Sequence, residues 1–167
     1  MSNADLVNRA RAGDKQAFAQ LYLHYKDSLY RYAYFKLGNP SDAQDAVSNC
    51  IVQAYSGVAM LKSEKAFSNW LFKILFYECC RILSEKSNRR AEETLEGKDF
   101  PVYSTAHLAP ELEEAFGILD PLDKDIVLLN VLAGYKTREI AEMLGLNHAT
   151  VRSRLSRALA KMRNFLE

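Results

Sequence analysis

Four side chains near the C-terminus, Arg152, Ser153, Ser156 and Arg157, have the types and spacing to read double-stranded DNA. An arginine can bond two guanine acceptors at once, and a serine can read a base edge or hold a phosphate. That chemistry needs a rigid rod presenting all four residues on one side. The stretch 133–165, AGYKTREIAEMLGLNHATVRSRLSRALAKMRNF, has the pattern for such a rod. Thr137 is placed to cap a short helix whose apolar face holds Ile140, Ala141 and Leu144. Gly145 falls where a helix end wants a left-handed residue, and Asn147 can cap the next helix. Val151, Leu155, Leu159 and Met162 then give a buried stripe at helical spacing, opposite the four polar residues. The helix start near His148 can also receive a phosphate. A short helix, a glycine turn and a helix with a basic outer face make a helix-turn-helix, whose second helix enters the major groove. The alternative is a helical hairpin whose arginines merely solvate a surface.

Of the 167 residues, 49% are hydrophobic, enough for packed cores in one domain or two small ones. No long uncharged apolar run exists, so membrane insertion is not expected, and the N-terminus lacks an apolar signal core. Cys50, Cys79 and Cys80 lack metal-ligand spacing, and His24, His107 and His148 are scattered, so neither a metal nor a cofactor is expected. Buried thiols in a reducing cytosol are the simpler reading of the cysteines; a redox role for the Cys79–Cys80 pair is the other. There is no nucleophile–base signature and no phosphate-binding glycine loop, so no enzyme is expected.

The formal charge of +1 hides a division along the chain. Residues 1–90 carry 13 basic and 8 acidic side chains, residues 91–134 carry 2 and 10, and residues 135–167 carry 7 and 3. Two basic ends around an acidic middle suggest two modules that face nucleic acid, joined by a segment that avoids it.

The elements that position these groups are helical throughout. A short helix from Asp5 to Ala12 ends at Gly13, and Asp14 caps a long aromatic helix running to about Leu37. After Gly38-Asn39-Pro40, Ser41 and Gln44 are spaced as a capping box for a helix from Asp42 to Met60. Its apolar face holds Ala43, Ala46, Val47, Cys50, Ile51, Ala54, Tyr55 and Val58; its outer face holds Asp45, Ser48, Asn49, Val52 and Gln53. Leu61 to Lys65 is a loop, with Ser63 able to cap the next helix. From Ala66 to about Ser87 the chain is helical and crowded with aromatics. Phe67, Trp70, Leu71, Ile74, Leu75 and Ile82 form its buried stripe, leaving Phe72, Phe76 and Tyr77 on other faces among Lys73, Arg81, Lys86, Arg89 and Arg90. Exposed rings between cations suit single-stranded DNA, whose bases stack while cations hold phosphates; a helix buried on two sides is the alternative. The stretch 91–110 reads as an acidic linker. Leu112, Phe116 and Leu119 then share a helix face, and Asp120-Pro121 starts a support helix with Ile126, Val127, Leu129, Leu132 and Ala133, closed by Gly134. The expected fold is all-α: two small helical domains, 1–90 and 111–167, joined by the linker, the second a helix-turn-helix.

Taken together, nearly the whole chain resembles an extracytoplasmic-function sigma factor, the smallest kind of sigma-70-type bacterial initiation factor. The resemblance is carried by DLVNRARAGDKQAFAQLYLHYKDSLYRYAYFKLGNPSDAQDAVSNCIVQAY, by FSNWLFKILFYECCRILSEK with its Trp70-Leu71 pair, and most specifically by REIAEMLGL followed by ATVRSRLSRAL. It implies a cytoplasmic protein that binds core RNA polymerase and brings it to promoter DNA. The N-terminal domain would melt the minus-ten element and the C-terminal domain would read the minus-thirty-five element. It implies that Asp45, Ser48, Asn49 and Gln53 dock on the polymerase clamp. Leu61, Lys62 and Ser63 would capture an unstacked minus-ten base, with Trp70, Lys73, Ile74 and Tyr77 on the promoter-facing helix; Trp70 and Ile74 also suit a purely structural role. Arg152, Ser153, Ser156 and Arg157 match the positions that face the minus-thirty-five groove. Such proteins are commonly held by an anti-sigma factor, to which the aromatic helices would offer apolar area. Ser48 and Asn49 depart from the family's usual Gln and acidic residue, Tyr77 from a frequent Asn, and Arg81 lies near a frequent Asp. The competing readings are a stand-alone helix-turn-helix regulator, dimeric and bound to a pseudo-palindrome, and a protein with the sigma fold that titrates an inhibitor or polymerase without initiating.

Overall fold

The structure, a computed structural model, describes residues 1–92 and 110–167, with the side chains of 90–92 excepted. Every regular element among the described residues is helical. The chain divides into two compact units, one within residues 1–103 and the other within 104–167. The expected linker, 91–110, lies outside the described residues except at its two ends.

The first unit opens with α1 (Asn3–Arg11), capped by Ser2, and α2 (Lys15–Leu37), capped by Asp14, whose carboxylate accepts from the Gln16 and Ala17 amides at 3.0 and 3.2 Å. Gly38 ends α2 at φ 69°, a left-handed conformation open to glycine without a Cβ clash. Helix α3 (Pro40–Gly57) starts two residues earlier than a Ser41 capping box would put it. Asn39 is the cap, its Oδ1 accepting from the Asp42 amide at 3.0 Å, and Pro40 fills the first helical position, where its missing N–H costs nothing. The last expected turn of that helix is a separate 3-10 turn, Val58–Met60, and a second such turn, Glu64–Ala66, leads into α4 (Phe67–Glu92). No breaker stands between Ser87 and Glu92, so α4 runs further than about Ser87.

Helices α2, α3 and α4 pack on one another pairwise, and α1 lies on α2 and against both 3-10 turns. Tyr32, Leu21, Leu29, Phe67, Leu71 and Leu75 are fully buried at their meeting. Because α2 and α3 both press on α4, Phe72 and Phe76 are buried too, which is the two-sided burial that stands in the sequence as the alternative to exposed rings. Phe72 meets Tyr32 edge-on at 5.8 Å, and the Lys36 ammonium sits 4.8 Å above the Phe76 ring. Trp70 and Ile74 are half-buried, as is Ile51 on α3, while Tyr55 is largely exposed with its ring edge-on to Phe18 at 5.2 Å.

The second unit comprises α5 (Pro110–Gly117), α6 (Pro121–Val127), α7 (Thr137–Leu144) and α8 (His148–Leu166). Asp120 caps α6 with Pro121 at its first position, as the sequence predicts. The support helix is not uniform: after Val127 it widens into a π turn, Leu128–Leu132, in which the Ala133 amide reaches back to the Leu128 carbonyl at 3.1 Å. Gly134 then turns the chain at φ 78°, and the Tyr135 amide closes on the Leu129 carbonyl at 2.9 Å. The cap of α7 is Lys136, not Thr137; the Glu139 carboxylate accepts from the Lys136 amide at 3.0 Å. Gly145, at φ 67°, and the Asn147 cap stand where the sequence puts them.

Helix α8 is the centre of this unit, touched by α5, α6 and α7. Val151, Ala158 and Met162 carry its buried seam, while Leu155 and Leu159 are only half-buried and Leu112 on α5 is largely exposed. Ala158 is wholly buried within that seam. Enlarging that position overpacks the seam: Ala158→Leu is expected to lower stability by about 1–3 kcal/mol in urea denaturation, and an unchanged midpoint would contradict this packing.

Candidate nucleic-acid and polymerase interfaces

Arg152, Ser153, Ser156 and Arg157 are all exposed on α8, opposite the Val151–Met162 seam. The Arg157 Nε donates to the Ser153 carbonyl at 3.4 Å, which leans that guanidinium along the helix towards the other three residues. A further arginine between them has a different task. Arg154 points back to α6, its Nη1 3.0 Å from Asp123 Oδ1 and 3.6 Å from Asp120 Oδ2, ties that raise its pKa further. It holds α8 against the α6 start and so sets the pitch at which its neighbours emerge. Its signal in the sequence is two carboxylates in one helix start facing an arginine-rich helix. Thr137, instead of capping α7, meets His148 through a 2.8 Å hydrogen bond between Oγ1 and Nε2, joining the starts of α7 and α8.

In the first unit, the loop after α3 is fixed at several points. Leu61 turns inward and is buried, so it forms a wall and not a projecting contact. Ser63 accepts from the Lys65 amide at 3.2 Å, and Arg11 of α1 reaches the Lys62 carbonyl at 3.4 Å. Lys62 is exposed. Gly57, Met60, Leu61, Lys62, Ala66 and Trp70 line an open, mostly apolar cleft of about 290 Å³. Trp70 lies against the end of α3 so closely that a Cβ on Gly57 would come within 3.2 Å of its Cζ2. Lys73 and Tyr77 are exposed further along α4. Buried Phe72 and Phe76 leave Tyr77 and the half-buried Trp70 as the rings this helix can offer to a base. The structure thus brings Leu61, Lys62 and Trp70 to one cleft, with Ser63 in the supporting turn.

The outer face of α3 carries exposed Asp45, Ser48, Asn49 and Gln53. Sequence reasoning passed over the residue that organises it. Glu78 of α4, with 9% of its surface exposed, accepts from Gln53 Nε2 at 2.5 Å, from Asn49 Nδ2 at 3.4 Å, and from Arg81 Nη2 and Nε at 2.8 and 3.2 Å. Arg81 also pairs with Glu85 at 2.7 Å, and Lys86 pairs with Asp42. Arg81 and Lys86 are therefore engaged with carboxylates of their own unit. Burial pushes the Glu78 carboxyl upward, but bonds from Arg81, Gln53 and Asn49 outweigh it and hold the group below its ordinary value.

The Cys50 thiol is pushed up to about 12, by burial first and then by the Glu78 charge, and faces the Leu71 carbonyl at 3.5 Å. Cys79 is buried as well, and Cys80 half-buried; none of the three is in a disulfide. Among the described residues no cluster of His, Cys, Asp and Glu could hold a metal ion, and no helix is long and apolar enough to cross a membrane.

The chain comprises two helical units, one presenting an arginine-bearing helix and the other an apolar cleft beside a loop that carries Lys62. Comparison with known proteins gives the family. Residues 21–89 match Sigma-70 region 2 and residues 110–162 match Sigma-70, region 4. The ECF RNA polymerase sigma factor SigM of Mycobacterium tuberculosis is 30% identical over 171 residues, spanning 99% of this chain and 85% of its own. Among solved structures, CnrH in complex with the cytosolic domain of CnrY aligns with a TM-score of 0.69 at 24% identity, covering 98% of this chain and 96% of that one. The sigma factor RpoE of Bartonella quintana, solved with the anti-sigma factor NepR, aligns with a TM-score of 0.65 at 22% identity, covering 89% and 96%. At those identities the structural likeness is one of fold. The chain belongs to the sigma-70 family, in its ECF branch, and is an RNA polymerase sigma factor. The stand-alone regulator is disfavoured, since the matches run through both units in order.

Glu78 gives a pH test with a definite sign. Its depressed carboxyl stabilises the fold at pH values above the unfolded value, about 4.3, and that contribution is lost as pH falls through the lower folded value. Urea midpoints measured downward from pH 5 should therefore fall more steeply for the wild type than for Glu78→Gln. Parallel curves would contradict the bonding described around this carboxylate.

Proposed function

We propose that the two units divide promoter recognition between them, with domains at 1–90 and 111–167 and a linker at 91–110. In this reading α8 enters the major groove of the minus-thirty-five element. Arg152 and Arg157 bond base edges, and Ser153 and Ser156 bond a base or phosphate. The observation that carries the reading is the exposure of these four residues on a helix whose other side is packed and whose Arg154, lying between them in sequence, is tied to α6. The cleft beside Trp70 receives one unstacked base of the minus-ten element, with Lys62 and Lys73 placed for its phosphates and Tyr77 for stacking. A flipped base gives up stacking worth a few kcal/mol, and an apolar cleft with an aromatic wall is the kind of site that returns it.

The outer face of α3, with Asp45, Ser48, Asn49 and Gln53, meets core RNA polymerase. The polymerase performs the chemistry of RNA synthesis, and this chain acts in the cytoplasm as a specificity subunit without catalysis of its own. An anti-sigma factor is the natural regulator, since the related factor from Bartonella quintana is bound by one. Val52, Tyr55, Met60 and Tyr77 are exposed apolar side chains that such a partner would cover.

Run-off transcription from promoters with and without the minus-thirty-five element tests the division. Arg152→Ala or Arg157→Ala should lower use of the element about tenfold, the scale of one lost bidentate base contact, while thermal stability and polymerase binding stay at wild-type values. Loss of folding or of polymerase binding in either variant would show that the exposed face has been misassigned.

A further inference from the structure

We propose that Glu78 is a positioning residue for the polymerase-facing side of α3, which it turns into a row of hydrogen-bond acceptors suited to arginine and lysine side chains on the partner. The proposal rests on the reading that this face meets core polymerase. An ionised carboxylate can only accept. Its two oxygens therefore draw in the amide nitrogens, Gln53 Nε2 to Oε1 and Asn49 Nδ2 to Oε2. An amide turned the other way would set oxygen against oxygen beside a carboxylate that is almost wholly buried. Arg81 occupies the rest of that carboxylate and is itself held by Glu85, so Glu78 cannot swing away. With both nitrogens turned inward, the carbonyl oxygens of Asn49 and Gln53 face out.

Asp45, Asn49 and Gln53 stand four residues apart, so they form one file along the exposed side of α3. All three then offer acceptors outward, while Glu78 holds one N–H of each amide inward. Asp42 and Glu85 beside the file are already neutralised by Lys86 and Arg81. The file therefore selects a partner surface of donors, and cationic donors make the stronger bonds.

A swap of chemistry between the two helices tests this. In Glu78→Gln the new amide oxygen stays at the Oε2 position, where it still accepts from Arg81 and Asn49, so its NH2 group takes the Oε1 position and meets Gln53. Gln53 must then turn its oxygen inward and its nitrogen outward, which puts a donor at the end of the file. Affinity for core RNA polymerase should fall about tenfold, the scale of one interfacial hydrogen bond replaced by a mismatch. Adding Gln53→Glu restores an outward acceptor, because the new carboxylate accepts from the new amide through one oxygen and offers the other. Most of the lost affinity should return. Wild-type affinity in Glu78→Gln, or no recovery in the double variant, would overturn the proposal.

Asp45→Lys separates this from the reading beneath it. If that variant also binds polymerase normally, the face itself has been misassigned and the proposal falls with it; if it weakens binding while Glu78→Gln does not, only the positioning role is wrong. A measurement on the unaltered protein covers the case in which a Glu78 variant does not fold. By NMR, one side-chain amide proton of Gln53 and one of Asn49 should exchange slowly with water and lose that protection as Glu78 is protonated. Freely exchanging amides at neutral pH would contradict the orientation.

Discussion

Helix α4 is packed from two sides at once, by α2 and by α3, and most of the first unit depends on that constraint. A helix in this position must be apolar over much of its circumference, which is why its sequence carries Phe67, Leu71, Phe72, Leu75 and Phe76 with no narrow stripe. Only a thin strip remains for anything else. On one side of it stand Lys73 and Tyr77, near the cleft of Trp70; on the other, Glu78 reaches across to α3. The helix that is the core of this unit is thus also the element that links its proposed DNA face to its proposed polymerase face. Changes in the packing of α2 or α3 are felt at both.

The second unit solves the same problem on a smaller scale. Helix α8 is the packing centre for α5, α6 and α7, so the residues it can expose are those left over after three contacts. Arg154 shows how the division is enforced. It sits among the proposed reading residues in sequence, yet its bonds to Asp123 and Asp120 commit it to the fold. The Thr137–His148 bond adds a second fixed point where α7 meets α8. Base readout depends on a rigid helix at a fixed pitch, and these two ties fix it from both sides.

Much of this was legible in the residues. Asp14, Asn147 and Asp120 were readable as caps, and Gly38 and Gly145 as helix ends, because each acts through its own backbone and near neighbours. The exposure of Arg152, Ser153, Ser156 and Arg157 followed from helical spacing alone. The features that escaped depend on contacts distant in sequence. Periodicity marks an apolar residue but does not say how many partners its helix has, so for Phe72 and Phe76 it left exposed rings and a helix buried on two sides both open; they are core. Glu78 looked like one charge among many, since its worth comes from two amides on another helix. The π turn at Leu128–Leu132 leaves the apolar pattern almost unchanged and has no short-range marker. Thr137 has the side chain of a cap, but one residue of register gives that place to Lys136 and frees the hydroxyl for His148.

The central claim is that this chain delivers polymerase to DNA and does not act on DNA alone. The most direct measurement is a binding titration against bacterial core RNA polymerase, in competition with a known sigma factor and with protein shown to be folded and free of inhibitor. Tight one-to-one binding that the known factor displaces is the predicted result. No binding, or binding that leaves the known factor in place, would contradict the account.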